Sequence, residues 1–170
     1  MPLLTFFALD YHEAMFQARY AQLPLFRGLS KEQIDQIEPL FQICRFPKHQ
    51  TIFEQGQKAQ FFYILLNGEV EIRYKPYDAP PLTVAHLMPG GVFGWSSVLD
   101  HDVYTSSALS LVKSEAYCTS LHDLKIMVRT NPETGDILLE RLASGIAERL
   151  RSTHSKVLSL IKKGCSETGD

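Results

Sequence analysis

The alternation of hydrophobic and polar residues divides the chain into helical ends and a β-rich middle. Near the amino terminus, apolar residues recur at helical spacing over about residues 11–22 and again after Ser30. Ser30 and Gln33 form a capping-box pattern, which places the start of the second helix at Ser30. We therefore predict N-terminal helices within residues 1–41.

Short apolar runs separated by turn signals predict β-strands over residues 42–121. The run 61–66 is continuous and rich in aromatic residues, which is typical of a core strand. Asn67 and Gly68 follow it and predict a tight hairpin, with an alternating strand over 70–74 as its return. Further strands are predicted at 51–54, 82–87, 106–112 and 116–121. This number of short strands indicates a mainly β protein with a sandwich or barrel.

Helical periodicity returns at His122, and Asn131-Pro132 separates a short helix from a long one that runs to about residue 163. The long helix carries apolar positions at alternating spacings of four and three, which predicts a dimer helix. These positions are Leu139, Ala143, Ile146, Leu150, Thr153, Val157 and Leu160. The same stripe could instead pack on the chain's own β-domain. We favour a homodimer because so long a helix extends past a small domain.

Composition narrows the class of protein. Of the 170 residues, 45% are hydrophobic and 21% charged, with a net charge of −2, which indicates a globular domain and argues against a dedicated nucleic-acid binder. The basic residues of the long helix are interpreted as a solvated face, and they are Arg149, Arg151, Lys156, Lys162 and Lys163. The sequence has no apolar run long enough to span a membrane. Its apolar N-terminal segment has no preceding basic region, so a signal peptide is not expected and we predict a cytoplasmic protein. Cys44, Cys118 and Cys165 are widely spaced and are expected to be free thiols.

Candidate chemistry is concentrated in the glycine-rich segment 89–99. A glycine turn followed by a short helical turn presents free backbone N–H groups, which suits an anion such as a phosphate. Hydroxyl groups nearby could add neutral donors, and they belong to Ser96, Ser97, Thr105 and Ser106. The sequence holds no arginine from Tyr74 to Val128. The segment therefore predicts a cradle for an anion that is built largely from uncharged groups.

The order of these motifs over residues 24 to about 160 resembles the cyclic-nucleotide-binding domain of the catabolite-activator/FNR superfamily. The resemblance rests on Leu25-Phe26-x-Gly28-Leu29-Ser30, Phe53-x-x-Gly56, Phe62-Tyr63-Ile64-Leu65-Leu66-x-Gly68-Glu69-Val70-Glu71-Ile72, Leu87-x-Pro89-Gly90-x-Val92-Phe93-Gly94 and Asn131-Pro132. It implies one domain over residues 1–170: N-terminal helices (1–41), an eight-stranded jelly-roll β-sandwich (42–121), and a hinge with a long C-terminal dimerisation helix (122–170).

The resemblance also implies where a ligand would bind. Ligand-binding members carry a glutamate after Phe-Gly and an arginine about ten residues later, whereas this chain has Trp95 and then Tyr104, Thr105 or Ser106. Loss of both charged side chains predicts altered or degenerate ligand specificity. The candidate phosphate-binding cassette comprises Gly91, Phe93, Gly94, Trp95, Ser96, Ser97, Tyr104, Thr105 and Ser106.

We interpret the chain as a non-enzymatic regulatory domain that senses a small-molecule effector, either a cyclic nucleotide bound unconventionally or another small anion. The alternative is a protein-interaction module whose pocket is plugged by Trp95 and Val98. Neither a nucleophile elbow nor an acid–base pair is visible. His86, His101 and His122 are too scattered for a metal site. Only residues 164–170 follow the long helix, so we expect no direct DNA binding.

Overall fold

Two four-stranded antiparallel sheets carry the β-rich middle of the chain. The computed structural model describes residues 23–78, 80–96 and 102–167, with side chains up to Arg151, so the predicted helix at 11–22 lies outside the described residues. The strands are β1 (Gln42–Phe46), β2 (Thr51–Phe53), β3 (Phe61–Asn67), β4 (Val70–Tyr74), β5 (Leu82–Leu87), β6 (Val92–Phe93), β7 (Ser107–Ser110) and β8 (Ser114–Ser120). Their orders are β1-β8-β3-β6 in the first sheet and β2-β7-β4-β5 in the second. The predicted sandwich of short strands is confirmed.

The turn after β3 is not the hairpin that the sequence predicts. β3 pairs with β6 and β8, whereas β4 pairs with β5 and β7, so the two strands belong to opposite sheets. Gly68 makes the crossing possible with a φ of +94°, and a Cβ there would lie 2.7 Å from the Ser114 Cα. A tight turn is present, but it carries the chain from one layer of the sandwich to the other.

Within the described residues, three α-helices flank the first sheet: α1 (Lys31–Ile37), α2 (Leu121–Thr130) and α3 (Pro132–Glu167), with a 3₁₀ turn at Glu38–Leu40. The capping box at the start of α1 is confirmed, because Gln33 N–H donates to Ser30 Oγ at 3.2 Å and Ser30 N–H donates to Gln33 Oε1 at 3.0 Å. The corner between α2 and α3 is tight. A Cβ on Gly135 would lie 2.8 Å from the Val128 Cα.

The first sheet is buried on both faces at its central strands β3 and β8, which explains the continuous apolar run of β3. Phe62 and Ile64 point toward the helices and join one core cluster, which also contains Leu138 and Leu142 of α3. Alternate residues point the other way, into the sandwich interior, where they meet the apolar face of the second sheet. The long helix is therefore packed on its own domain along one face.

A disulfide joins Cys44 to Cys118, so the prediction of free thiols is wrong for these two residues. Their strands are neighbours, and Cys118 stands opposite Gln42, two positions from Cys44, with 6.2 Å between the cysteine Cα atoms. The two cysteines are 74 positions apart in sequence, and the β1–β8 pairing that unites them is not visible in their spacing. The Cys165 side chain lies outside the described residues.

Candidate functional site

The glycine-rich turn predicted to cradle an anion lies between β5 and β6 and is fastened to β3. Gly90 N–H donates to the Leu65 carbonyl at 2.7 Å, and Leu65 N–H donates to the Gly91 carbonyl at 2.8 Å. After β6 the chain makes one short helical turn at Trp95 and Ser96. The backbone half of the predicted cassette is thus held in place by the core of the first sheet.

Gly94 lies in close contact with β3. Its φ is +74°, and a Cβ there would lie 2.8 Å from the Phe61 carbonyl oxygen and 2.9 Å from the Tyr63 ring. The position therefore requires glycine for two reasons: its backbone is left-handed, and a Cβ would clash with β3.

The far end of the cassette returns to the sandwich through hydroxyl groups. Ser96 Oγ lies 3.0 Å from Thr105 Oγ1, and Thr105 N–H donates to Ser96 Oγ at 3.2 Å. These hydrogen bonds join the short helical turn at Trp95 and Ser96 to the Thr105 end of the cassette, and Ser96 is buried there. The hydroxyls predicted to be ligand donors are thus partly engaged with each other.

Tyr104 supports the site from behind. Its phenol oxygen accepts from Phe61 N–H at 3.1 Å and donates to the Phe61 carbonyl at 2.9 Å, while its ring stacks on Phe53 with 3.8 Å between centroids. Burial raises the pKa of the Tyr104 phenol, so it remains neutral. The Tyr104 side chain therefore anchors the Thr105 end of the cassette to β3 and does not line the cavity.

A cavity of about 360 Å³ opens between the cassette, the second sheet and α3. Its lining residues are Phe53, Ile72, Tyr74, Val84, Gly94, Trp95, Ser96, Thr105, Ser106, Arg149 and Leu150. Of the predicted cassette residues, five lie on this wall (Gly94, Trp95, Ser96, Thr105 and Ser106) and three do not (Gly91, Phe93 and Tyr104). Ser97 lies outside the described residues, as does Val98.

Trp95 stands at the junction between the cavity and the helices. It is half-buried, lines the cavity and packs against the core cluster shared by β3, α2 and α3. The cluster inside the sandwich does not include it. The indole therefore forms a side wall of the cavity and leaves the described space in front of the cassette open.

The cation at this site comes from α3, which the sequence analysis missed. Arg149 Nη1 donates to the Val92 carbonyl at 2.6 Å, and the Arg149 side chain is part of the cavity lining. Burial lowers the pKa of Arg149 to about 10, which still leaves it charged at neutral pH. The interpretation of this residue as part of a solvated face is wrong. Its spacing of three from the buried Ile146 and seven from Leu142 places it on the buried face and could have identified it.

The predicted dimer stripe is divided between two faces of α3. Ile146 is buried against the domain, whereas Leu139 and Leu150 are 37% and 56% exposed and Ala143 is also exposed. The side chains of Thr153, Val157 and Leu160 lie outside the described residues. The exposed part of the stripe is an apolar face that the described residues leave uncovered.

The part of the chain that the structure describes contains neither a cluster of metal-ligating side chains nor a helix that could span a membrane. No three histidine, cysteine, aspartate or glutamate side chains among the described residues come close enough together to hold a metal ion. None of the described helices is long and apolar enough to cross a membrane.

Comparison with known proteins agrees with this arrangement. The family model of the cyclic nucleotide-binding domain matches residues 43–131. The Cyclic AMP receptor protein of Thermus thermophilus is 31% identical over 128 residues, which cover 75% of this chain and 57% of that protein. The CRP-like cAMP-activated global transcriptional regulator of Mycobacterium tuberculosis is 28% identical over 141 residues, which cover 83% and 61%.

A solved structure adds evidence for the fold alone. The cyclic nucleotide-binding domain from Methylobacillus flagellatus superposes with a TM-score of 0.76 at 20% identity, covering 88% of this chain and 84% of that one. The chain spans 57% and 61% of the lengths of the two relatives above, so their activities as whole proteins are not assigned to it.

Proposed function

Because the chain belongs to the cyclic nucleotide-binding domain family, we propose that it is a non-enzymatic regulatory domain that binds a small anionic ligand with altered specificity. The observation that carries the proposal is the cavity of about 360 Å³ between the cassette and α3. Its volume lies in the range of small-molecule sites, and its apolar walls carry a few polar groups at one end. The names of the relatives make cyclic AMP the first ligand to test.

Altered specificity is supported by the groups on the cavity wall. Trp95 occupies the position where the resemblance implies a glutamate for a ribose hydroxyl, and the position of the implied arginine falls at Tyr104, Thr105 or Ser106. Of these three, Thr105 and Ser106 lie on the cavity wall. A ligand bound here would meet hydroxyl and N–H donors from the cassette and an aromatic wall. We therefore expect a preference that differs from that of relatives with both charged side chains.

Signal transmission is inferred to run through α2 and α3. α3 contacts the cassette through Arg149 and the domain core through Leu142, so a ligand in the cavity touches the helix and the cassette together. A ligand with unequal affinity for two positions of α3 would shift the population between them. We also infer that residues 1–170 form one domain and that the sandwich is an eight-stranded jelly roll, which the two strand orders support.

The cytoplasmic location remains a prediction. It conflicts with the Cys44–Cys118 disulfide, because the cytosol of most organisms keeps thiols reduced. The redox state of the purified protein therefore bears on where the domain works.

Cyclic AMP should raise the melting temperature of the protein if the cavity is a ligand site. At ten times its dissociation constant a ligand stabilises the folded state by about 1.4 kcal/mol, which for a chain of this size corresponds to about 3–6 °C. Differential scanning fluorimetry with cyclic AMP, cyclic GMP and a metabolite panel measures the shift. Inorganic phosphate at equal concentration controls for ionic effects. Unchanged melting temperatures across all of these compounds would contradict the sensor function.

The second candidate function is a protein-interaction module with no ligand. It is favoured by the Ser96–Thr105 hydrogen bond, which engages the cassette hydroxyls, and by the exposed apolar face of α3. Failure of every compound in the thermal assay would select this function.

A homodimer through α3 accompanies either function, and glutamate at Leu139 and Leu150 should abolish it. These leucines are exposed in the single chain, and a charge in a paired-helix seam is strongly unfavourable. Light scattering should give the dimer mass for the unmodified protein and the monomer mass for the double variant. Ile126→Glu, at a 47% exposed position on α2, is the matched control. A monomeric unmodified protein would contradict the assignment.

A further inference from the structure

We propose that Arg149 of α3 supplies the positive charge that pairs with the ligand's anionic group. This inference rests on the proposed function and names the group that would recognise the ligand. It moves the cationic half of the site from the cassette, where the resemblance implies an arginine, to the long helix. The cassette keeps the backbone half, and α3 completes the site.

The charges along the wall support this assignment. Among the described lining residues, Arg149 alone carries a full charge, and the rest contribute apolar surface, hydroxyls or backbone groups. An anion that enters the cavity from water needs a cation or several strong donors to replace its hydration. Ser96 and Thr105 are neutral and share a hydrogen bond, so the wall offers its strongest attraction at the guanidinium.

The geometry places that guanidinium at the cassette. Val92, whose carbonyl accepts from Arg149 at 2.6 Å, lies in β6 two residues before Gly94. The Arg149 side chain therefore borders the cavity, and its guanidinium is hydrogen-bonded to the backbone of the cassette segment. Burial lowers the pKa of Arg149 to about 10, which shows that the surroundings disfavour the charged form, and a bound anion would act in the opposite direction.

The remaining wall indicates the class of ligand. Trp95, Val84 and Leu150 present aromatic and aliphatic surface around the polar end. One cation and about 360 Å³ of space suit a small monoanion that carries a flat or apolar body. A cyclic mononucleotide has this chemistry: one phosphodiester charge and one aromatic base.

The arrangement ties ligand charge to helix position. Because Arg149 lies on α3, an anion paired with it pulls on the helix directly, whereas a neutral analogue would touch only the walls. The binding energy of the ligand thus has two parts. The pairing of its anion with Arg149 acts on α3, whereas the contacts of its uncharged body with the cavity walls do not.

Arg149→Met tests the assignment, because methionine keeps an unbranched stem and a similar helix propensity and removes the guanidinium with its charge. Isothermal titration calorimetry with cyclic AMP should show affinity weakened by about 10- to 100-fold, the loss expected for a charge-assisted hydrogen bond. Adenosine, which lacks the phosphate, should bind both proteins equally. Arg149→Lys should recover part of the affinity for cyclic AMP, and the melting curve of each variant checks its folding.

The matched control is Arg151→Met, two residues along the same helix. The Arg151 side chain is 76% exposed and pairs with Glu148 at 3.7 Å, so its removal should leave the affinity for cyclic AMP within about twofold. Equal binding of cyclic AMP to Arg149→Met and to the unmodified protein would overturn the inference and leave the proposed function standing. Parallel losses for cyclic AMP and adenosine would also overturn it, because they indicate packing. Absence of cyclic AMP binding by the unmodified protein would overturn the inference, whereas the proposed function fails only if the whole metabolite panel also leaves the melting temperature unchanged.

Discussion

Opening the Cys44–Cys118 disulfide should lower the free energy of unfolding by about 2–4 kcal/mol, the typical contribution of such a cross-link. The bond closes a loop between residues 74 positions apart, and closing so long a loop removes much of the freedom of the unfolded chain. Urea unfolding with and without dithiothreitol measures the difference. The double variant Cys44→Ala with Cys118→Ala should have the same free energy of unfolding as the reduced protein, and dithiothreitol should leave that value unchanged.

Thiol counting provides an independent check. Protein purified without reductant and then denatured should expose one reactive thiol per chain, since the sequence has three cysteines and two are joined. After reduction the count should rise to three. Three reactive thiols before reduction, or an unfolding curve that dithiothreitol leaves unchanged, would show that this bond does not stabilise the protein.

Replacing Gly94 by alanine should destabilise the fold by about 3 kcal/mol. Two costs combine: a left-handed backbone at a non-glycine residue costs about 1–2 kcal/mol, and forcing a methyl group into a filled space costs about 1–3 kcal/mol. The added Cβ would lie 2.8 Å from the Phe61 carbonyl oxygen. Chemical denaturation of the purified variant measures the loss.

Gly56→Ala is the matched control because it shares the backbone conformation without the crowding. Gly56 has a φ of +85°, and an added Cβ would meet no atom within 4 Å. We expect this variant to lose about 1–2 kcal/mol, from the backbone alone. Equal losses in the two variants would mean that the contact between the cassette and β3 contributes nothing at this point.

The sequence predicted those features well that depend on interactions between residues close together in the chain. The cap at Ser30 depends on groups three residues apart, and the break at Asn131-Pro132 depends on the proline itself, so both were legible in the sequence. The glycine turn was identified for the same reason. Its resemblance to the cyclic-nucleotide-binding cassette also located five of the nine site residues on the cavity wall.

Features that depend on distant partners were missed. Asn67-Gly68 specifies a tight turn, but whether the strands around it pair with each other depends on β6, β7 and β8. The disulfide likewise depends on the pairing of β1 with β8. Helical spacing places Arg149 on the same face as Ile146, but sequence alone does not show that this face of α3 lies over the cassette.

The close contact between Gly135 and Val128 has a mechanical consequence. Because the backbone of one helix rests on the Cα of the other, α2 and α3 cannot rotate toward each other without a clash at this corner. The contact therefore sets a lower limit on the angle between α2 and α3: the angle can open, which separates the two backbones, but it cannot close further.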